Sequence, residues 1–286
     1  MSLASIGPET VEITRRGFYD LASSTRVSIG DAVAKAVAGT VLYKPGDYAT
    51  LDLPKTLDAA PTLEVTREST AEAARRLVDG AAAGGTSRTP NVERDGFTRV
   101  VALNFASAKK PGGGFLGGAK AQEEDLARCS ALYACQLPHR AYYDANRANP
   151  SMLYTDHLIY SPDVPFFRDD RHELLATPFV VSIITSPAPN AGEAEPRGEG
   201  PAVLATLQRR AEHVLRVAAH PGHRVLVLGA WGCGVFRNDP RVVADVFARL
   251  LTTGPLAHAF ERVVFAIYDR TKTEATLRAF RERISP

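Results

Sequence analysis

Cysteine is scarce in this chain, and its scarcity argues against a disulfide framework. The 286 residues contain three cysteines, Cys129, Cys135 and Cys233, an odd number without metal-ligand spacing. No run of 18 apolar residues occurs, so the sequence predicts no membrane span. The first residues, MSLASIGPETVEITRRG, lack the apolar segment of a secretory signal. These absences predict a soluble protein of a reducing compartment, the cytoplasm.

An excess of charge of either sign is also missing. Lys and Arg number 34 against 32 for Asp and Glu, which gives a net charge of +2. This balance excludes a general attraction to nucleic acid or to a membrane surface, so a polyanionic partner needs a local site. With 45% hydrophobic and 23% charged residues, the composition is that of a globular protein with one large domain, or one domain and an appendage.

Segments that predict strands alternate with segments that predict helices. The predicted strands lie at residues 62–68, 98–106, 178–190, the start of 223–236, and 260–269. The predicted helices cover residues 9–17, 31–40, 69–80, 122–146 with a break near Pro138, 201–220, 239–253 and 272–284. Asp31 and Asp239 are the predicted N-caps of two of these helices. Apolar strands that alternate with helices predict an α/β fold with helices on both sides of a central sheet.

Three loops that follow predicted strands are rich in glycine or proline, at residues 107–121, 185–200 and 229–238. Because ligands of such sheets bind beyond strand ends, these are candidate ligand loops. The small-residue and polar stretch 81–96 is the best candidate for a domain boundary.

The first of these loops runs straight into two adjacent carboxylates. PGGGFLGGAKAQEED has five glycines within seven positions, and Glu123 and Glu124 stand where the next helix begins. Bare amides beside a helix N-terminus bind anions. Adjacent helical side chains project about 100° apart, so one carboxylate can face a scissile bond while the other orients hydroxyl groups. Crowding of two anions raises the pKa of one, as a general acid requires.

Other interpretations of this loop are weaker. No Gly-Lys-Ser/Thr follows, so it is not a P-loop. Gly112, Gly114 and Gly117 match the spacing of a dinucleotide fingerprint, but they begin several residues after the strand, and no acidic residue ends a second strand about 20 residues on. A nicotinamide or flavin oxidoreductase is therefore a disfavoured alternative, and a surface loop that is merely rich in glycine is another.

Three ordered motifs resemble a known family. LNFASAKKPGGGFLGGAKAQEEDLARCSALY, in which seven residues separate GGG from QEE, resembles the signature of the bacterial-type poly(ADP-ribose) glycohydrolases. VVSIITSPAPN and VLVLGAWGCGVFRNDP resemble later motifs of that branch, so the resemblance covers about residues 98–270. It implies an α/β, macrodomain-like mixed central sheet flanked by helices over residues 96–286. A mostly helical N-terminal accessory region over residues 1–95 would pack on it.

The resemblance also implies roles for individual residues. Glu124 would be the catalytic acid that protonates the departing ribose oxygen, and Glu123 would fix the ribose hydroxyls. Phe236 would press the distal ribose toward Glu124. The further positions expected to bind or support ADP-ribose are Asn104, Gly112, Gly113, Gly114, Gln122, Asn190, Gly229, Gly232, Cys233, Gly234, Val235 and Thr271. For Asn104, capping of a turn is an equally good interpretation.

Several other residues have a structural alternative to a functional role. Trp231 is expected to pack in the core, and Cys233 to be a small loop residue because no histidine stands beside it. Phe166 and Phe167, in SPDVPFFRDD, would either stack on adenine or lie in the core. His157 and His172 lack metal-ligand spacing with each other or with the cysteines, so neither a metal nor another cofactor is expected.

The expected function is hydrolysis of the ribose–ribose bonds of poly(ADP-ribose), mainly from the terminal ADP-ribose, with weak endo cleavage. Thr271 would leave the site incompletely covered, whereas Arg270 or Lys272 could close it. The alternative is a macrodomain that binds ADP-ribose without catalysis. The expected partners are poly(ADP-ribose), ADP-ribose and proteins that carry the polymer in a DNA damage response. Nucleic acid and membranes are not expected to bind, and the chain is expected to be a monomer.

Overall fold

A computed structural model describes residues 2–82 and 100–284. The helices are α1 Leu3–Arg16, α2 Gly30–Gly39, α3 Thr70–Ala82, α4 Gln122–Cys129, α5 Leu132–Gln136, α6 Arg140–Ala148, α7 Ala191–Ala194, α8 Val203–Ala219, α9 Pro240–Thr252 and α10 Ala275–Ile284. The strands are β1 Phe18–Asp20, β2 Arg26–Ser28, β3 Val41–Tyr43, β4 Thr62–Thr66, β5 Val100–Phe105, β6 Leu158–Arg168, β7 Leu174–Ser186, β8 Val225–Gly229 and β9 Arg262–Ala266. No helix within the described ranges is long and apolar enough to cross a bilayer.

The described residues form one mixed seven-stranded sheet, in the order β3-β6-β7-β5-β8-β9-β4. The strands from β7 to β4 are parallel to one another, whereas β6 and β3 pair antiparallel at the other side. The short strands β1 and β2 form a separate hairpin. The predicted mixed central sheet is confirmed.

Two hydrophobic cores lie on opposite faces of this sheet. In β5, Val101 and Leu103 belong to the core that contains α8, α9 and α10. Val100 and Ala102, which alternate with them, belong to the core that contains residues of α1 to α5. Because successive side chains of a strand point to opposite faces, a strand covered on both sides is apolar throughout. The burial of all β5 residues except Phe105, which is partly buried, therefore places this strand in the middle of the fold.

The N-terminal part of the chain contributes both edges of the sheet. β3 pairs with β6 at one edge, and β4 pairs with β9 at the other. Most of the remaining regular structure before residue 82 is helical, in α1, α2 and α3. The predicted loop at 81–96 lies almost entirely outside the described residues, so the division of the chain near residue 95 stays a prediction. The sheet itself joins the two parts.

The predicted helix over residues 122–146 is wrong in its continuity. It ends first at Cys129, where Ser130 Oγ donates to the carbonyl of Leu126 and accepts from the amide of Leu132. The side chain thus takes the place of helical backbone partners. The second interruption lies at Pro138, between α5 and α6, as the sequence predicts.

Helix caps give a mixed result. Asp239 caps α9 by accepting from the amide of Arg241, as predicted. The predicted cap at Asp31 is wrong, because α2 begins one residue earlier and Asp31 lies inside its first turn. Ser69 and Glu72 exchange hydrogen bonds at the start of α3, which is a capping box.

Candidate active site

The candidate site lies where the parallel strands end. Residues at the carboxyl ends of β5 and β7 pair with each other, as do those of β8 and β9. The loops that follow these strands therefore meet at the same end of the sheet. Residues 107–121, here named the first glycine loop, follow β5 and lead into α4. Residues 229–238, the second glycine loop, begin at the end of β8. The predicted ligand loops are therefore neighbours in the fold.

Glu123 is buried and accepts three hydrogen bonds. Its Oε1 accepts from Asn104 Nδ2 at 3.1 Å and from Gln136 Nε2 at 3.0 Å, and its Oε2 accepts from the amide of Ser107 at 2.6 Å. Burial raises the pKa of Glu123 to about 7, although these hydrogen bonds lower it, and the charge of Glu124 adds to the rise. The carboxyl group is thus held rigidly and titrates near neutral pH.

Glu124 has a different environment although it is the next residue. Its side chain is also buried, and its Oε1 accepts from the amide of Gly114 at 2.9 Å. Its Oε2 is buried without a hydrogen-bond partner among the described residues. Of the four carboxylate oxygens of the pair, this is the one that accepts no hydrogen bond from the described residues.

Two glutamines hold the first glycine loop and α4 in place. Gln122 Oε1 accepts from the amide of Phe105 at 2.8 Å, and its Nε2 donates to the carbonyl of Leu103 at 2.8 Å, so α4 is fastened to the end of β5. Gln136 Oε1 accepts from the amide of Gly112 at 2.7 Å, while its Nε2 donates to Glu123. Gln136 therefore links the glycine backbone directly to a carboxylate.

Asn104 is a strand residue and does not cap a turn. It is fully buried in β5, and its Nδ2 donates to Glu123 and, at 3.2 Å, to Thr185 Oγ1. Its Oδ1 has no hydrogen-bond partner within the described part of the chain. The structure therefore overturns the turn-capping alternative and shows Asn104 holding the carboxylate.

The amides of the three consecutive glycines are used inside the protein. They donate to acceptors on the same loop, on α4 and on α5, namely Lys110 O from Gly113, Glu124 Oε1 from Gly114 and Gln136 Oε1 from Gly112. The expectation of an anion nest formed by these amides is therefore wrong for this conformation. Gly113 has a φ of +58°, and a Cβ there would overlap with Glu124 Oε1 and lie 3.2 Å from Glu123 Oε2. Glycine is needed because both carboxylates converge on it.

The second glycine loop leaves part of its backbone amides available. Within the described residues, no acceptor is paired with four of its backbone N–H groups, those of Gly232, Gly234, Val235 and Phe236. Val235 is 83% exposed, and no atom lies within 4 Å of a Cβ built on Gly234. Successive free amides in a tight loop form an anion-binding concavity. The geometry of this loop therefore fits the predicted phosphate cradle.

Comparison with known proteins identifies the family. Residues 7–169 match the family described as the microbial-type PARG catalytic domain. The crystal structure of poly(ADP-ribose) glycohydrolase (PARG) from Thermomonospora curvata is 46% identical to this chain, covers 98% of both chains and has a TM-score of 0.88. The chain belongs to the microbial-type PARG family.

Further PARG structures agree with this assignment. The T. curvata enzyme bound to the inhibitor ADP-HPD is also 46% identical over 98% of both chains, with a TM-score of 0.86. PARG from Deinococcus radiodurans in complex with ADP-ribose is 47% identical over 91% of this chain and 99% of that chain, with a TM-score of 0.79. A search of curated proteins gives no match. The macrodomain-like fold implied by the sequence resemblance is confirmed.

The remaining predicted positions of this PARG family member differ in their surroundings. Phe236 packs against Tyr154 with ring centroids 5.8 Å apart. Asn190 caps α7 through a bond from the amide of Glu193, and this segment touches the second glycine loop because Gly192 N donates to Phe236 O. Gly229 ends β8, where a Cβ would lie 2.9 Å from the ring of Phe105.

Thr271 lies on an exposed segment beyond β9. Its amide and its Oγ1 both donate to Asp269 Oδ1, at 2.9 and 2.7 Å. No described contact joins Thr271 to the carboxylates or to either glycine loop. Thr271 follows the same end of the parallel strands as the second glycine loop, and its place in the ligand site stays a prediction.

Three aromatic candidates are core residues. Trp231 is fully buried, and its Nε1 donates to the carbonyl of Ser186, as the packing interpretation predicts. Phe166 and Phe167 are also fully buried in β6, so neither ring is available to adenine.

Burial raises the pKa of the Cys233 thiol to about 12, which favours the neutral thiol and argues against Cys233 as a nucleophile.

Sequence reasoning missed several residues around the site. Gln136 and Tyr154 contact predicted site residues but lie outside the three motifs, and Thr185 lies within VVSIITSPAPN, whose sequence does not indicate its contact with Asn104. The fold also brings His172 close to Asp125 and Cys129, although it is 43 residues from the cysteine along the chain. Sequence spacing does not reveal side chains that meet from a helix and a distant turn between strands.

Proposed function

We propose that this protein hydrolyses the ribose–ribose bonds of poly(ADP-ribose) and releases ADP-ribose. Membership of the microbial-type PARG family supports this function. One observation carries it beyond family membership. At the end of the sheet where two ligand loops meet, Glu124 has a buried carboxylate oxygen without a hydrogen-bond partner in the described part of the chain. A domain that only binds ADP-ribose has no need for such an atom.

In the proposed reaction, Glu124 acts first as an acid and then as a base. Protonated at Oε2, it gives its proton to the departing ribose oxygen while the C1–O bond breaks and oxocarbenium character develops. A water molecule then attacks the same carbon and returns a proton to Oε2, which regenerates the acid. The amide of Gly114 holds Oε1 in place throughout, so only Oε2 exchanges protons.

Glu123 is proposed to orient the distal ribose. Its three donors fix the carboxyl group and use three of its roughly four lone-pair sites, so one site, on Oε2, is left to accept a ribose hydroxyl. Such rigid placement favours reaction by holding the sugar in one position relative to Glu124. The raised pKa of Glu123 makes it the competing candidate for the acid, but its full set of N–H donors leaves it no free oxygen comparable with Glu124 Oε2.

The diphosphate is proposed to bind the second glycine loop. Its free amides at Gly232, Gly234, Val235 and Phe236 are suited to phosphate oxygens. Phe236, supported by Tyr154, would then lie against the distal ribose and press it toward Glu124. The relatives from T. curvata and D. radiodurans bind ADP-HPD and ADP-ribose, respectively. We propose the same class of ligand for this chain.

The decisive experiment measures free ADP-ribose released from purified polymer. Glu124→Gln removes only the exchangeable proton, so we expect turnover to fall by roughly 10²–10⁴-fold while ADP-ribose affinity stays near the parental value. The control is Glu212→Gln, a carboxylate on α8 that pairs with Arg216 away from the site. If the parent binds ADP-ribose but releases none from polymer, the protein is a binding module instead. Near-normal turnover in Glu124→Gln would assign the acid to another residue.

The proposed mode of cleavage is mainly exo, with weak endo activity through an incompletely covered site at Thr271. The threonine side chain is short and exposed, so a long cationic side chain at this position would cover more of the adenosine-side ribose. Thr271→Arg is expected to suppress internal cleavage and to spare release of ADP-ribose. The measurement is the length of products at early times on long polymer, with Thr273→Arg as the neighbouring control. Release of monomer alone by the parent would contradict the open-site proposal.

A further inference from the structure

Three side chains with different donor atoms converge between α4 and the turn that joins β6 to β7. Asp125 and Cys129 stand one turn apart on α4, and His172 lies in the turn between β6 and β7. Their ligand atoms all lie within 4.8 Å of one another, and His172 Nε2 is 2.9 Å from Asp125 Oδ1. Residues spaced by four on a helix share a face, so both α4 side chains can reach one ion.

We propose that Asp125, Cys129 and His172 bind a divalent cation of the zinc type. A thiolate, an imidazole and a carboxylate form a mixed S, N and O donor set, which suits zinc and cobalt better than magnesium or calcium. Three protein ligands leave a fourth position for water. Water can reach it, because the side chains of His172 and Asp125 are 14% and 28% exposed and His172 lines a cavity of about 530 Å³.

The turn that carries His172 is already fixed. Asp169 Oδ1 accepts from the amides of Arg171 and Glu173, and His172 N donates to Asp169 O at 2.9 Å. The carbonyl of His172 accepts from Arg168 Nη1 at 2.8 Å. His172 itself has a φ of +65°, which is uncommon for a residue with a side chain. This backbone conformation is thus held in place while the imidazole meets α4.

The surrounding charges can accommodate a divalent cation. Asp125, Asp169 and Glu9, together with the Cys129 thiolate that coordination requires, are opposed by the guanidinium groups of Arg128 and Arg168. Two negative charges remain for the ion. Arg168 is turned toward Glu9, 2.8 Å away, and toward Thr10 Oγ1, 3.2 Å away.

Coordination would displace two existing contacts. Cys129 Sγ now donates to the carbonyl of Asp169 at 3.4 Å, and its thiol proton would leave to solvent. The Asp125–His172 hydrogen bond would be replaced by bonds to the ion. In return, the cation would cross-link α4, whose first turn carries Glu123 and Glu124, to the β6–β7 turn. This proposal does not depend on the proposed hydrolase activity.

The test uses the full chain, reduced, treated with chelator and then freed of it. Titration with Co²⁺ is expected to produce a thiolate-to-cobalt charge-transfer band that saturates at one equivalent, and Zn²⁺ is expected to displace it. Zn²⁺ should also raise the Tm. His172→Asn, chosen because asparagine tolerates a positive φ, should weaken Zn²⁺ binding by at least roughly 100-fold, the upper limit for loss of an outer-shell partner.

Cysteine variants identify the thiol that binds the metal ion. Cys129→Ser should abolish the charge-transfer band, whereas Cys233→Ser, in the second glycine loop, should retain it. The proposal is overturned if the parent shows no band, or if the band survives Cys129→Ser and disappears in Cys233→Ser. Cys129 is fully buried, so Cys129→Ser could fail to fold. The Zn²⁺ affinity of His172→Asn, at a partly exposed residue, is therefore an independent test of the site. Unchanged Zn²⁺ affinity in a folded His172→Asn would equally overturn it.

Discussion

The two glycine loops have similar compositions but opposite relations to the protein around them. In the first glycine loop, the amides of the three consecutive glycines all donate within the protein, and the bare α-carbons make room for carboxylates. In the second glycine loop, the amides of Gly232, Gly234, Val235 and Phe236 have no acceptor among the described residues, and a Cβ on Gly234 would lie in open space. Glycine therefore provides space at the first loop and accessible donors at the second. Composition alone does not distinguish these uses.

The sharpest contrast is between Gly113 and Gly234. Gly113→Ala would place a methyl group against Glu124 in a backbone with φ of +58°, so the carboxylate must move. A misplacement of about 1 Å costs roughly 100-fold in rate, and we expect kcat to fall by about that factor. Gly234→Ala should leave kcat near the parental value. The measurement is steady-state release of ADP-ribose, with the far-ultraviolet circular dichroism of each variant as a check of folding.

Equal losses in the two variants would break the comparison. They would mean that backbone freedom, not space for a carboxylate, is what both loops require. A normal kcat in Gly113→Ala would mean that Glu124 can shift without losing its position relative to the scissile bond.

The carboxylates beside the first glycine loop differ further from the second loop, because burial raises the pKa of Glu123 in α4 from 4.5 to about 7. The folded state then binds a proton that the unfolded state releases between these values. The contribution of this proton to the free energy of unfolding is fully present below pH 4.5 and is lost as the pH rises to about 7. The slope is at most about 1.4 kcal/mol per pH unit.

Glu123→Gln should remove this slope. The measurement is the free energy of unfolding in urea at several pH values for the parent and for Glu123→Gln, with Glu212→Gln as a surface control. The comparison concerns slopes, because the new amide also faces the donor of Ser107 and lowers absolute stability. Parallel curves for parent and Glu123→Gln would show that burial does not hold the proton there.

Sequence periodicity predicted the parallel part of the sheet and the helices that cover it, but it missed β6. This strand contains Pro162 and Pro165, which argue against a central strand. The structure tolerates Pro162 because the pairing with β7 shifts between Ser161 and Val164, and Asp163 there has a φ of +46°. A local irregularity that removes the need for an amide donor leaves no signal in a hydrophobic pattern.

The candidate site was predictable where adjacent residues carry it and not where distant ones do. Glu123 and Glu124 lie beside the glycines in sequence, so the motif contains them. Gln136 reaches the carboxylate of Glu123 only because α4 ends at Cys129 and α5 begins at Leu132. The free amides of the second loop, likewise, follow from which backbone acceptors the fold happens to provide.

The smallest effect should come from removing one donor of the second glycine loop. Val235→Pro deletes a free amide, and Val235 is not among the residues with positive φ, so proline is compatible with the sign of its backbone angle. A hydrogen bond to a charged group contributes about 1.5–3 kcal/mol, so ADP-ribose should bind at least about tenfold more weakly, with little change in kcat. Val235→Ala retains the amide and loses only an exposed side chain, so calorimetry should give it a parental Kd. Unchanged affinity in a folded Val235→Pro would remove this amide from the phosphate site and shift the assignment toward its neighbours.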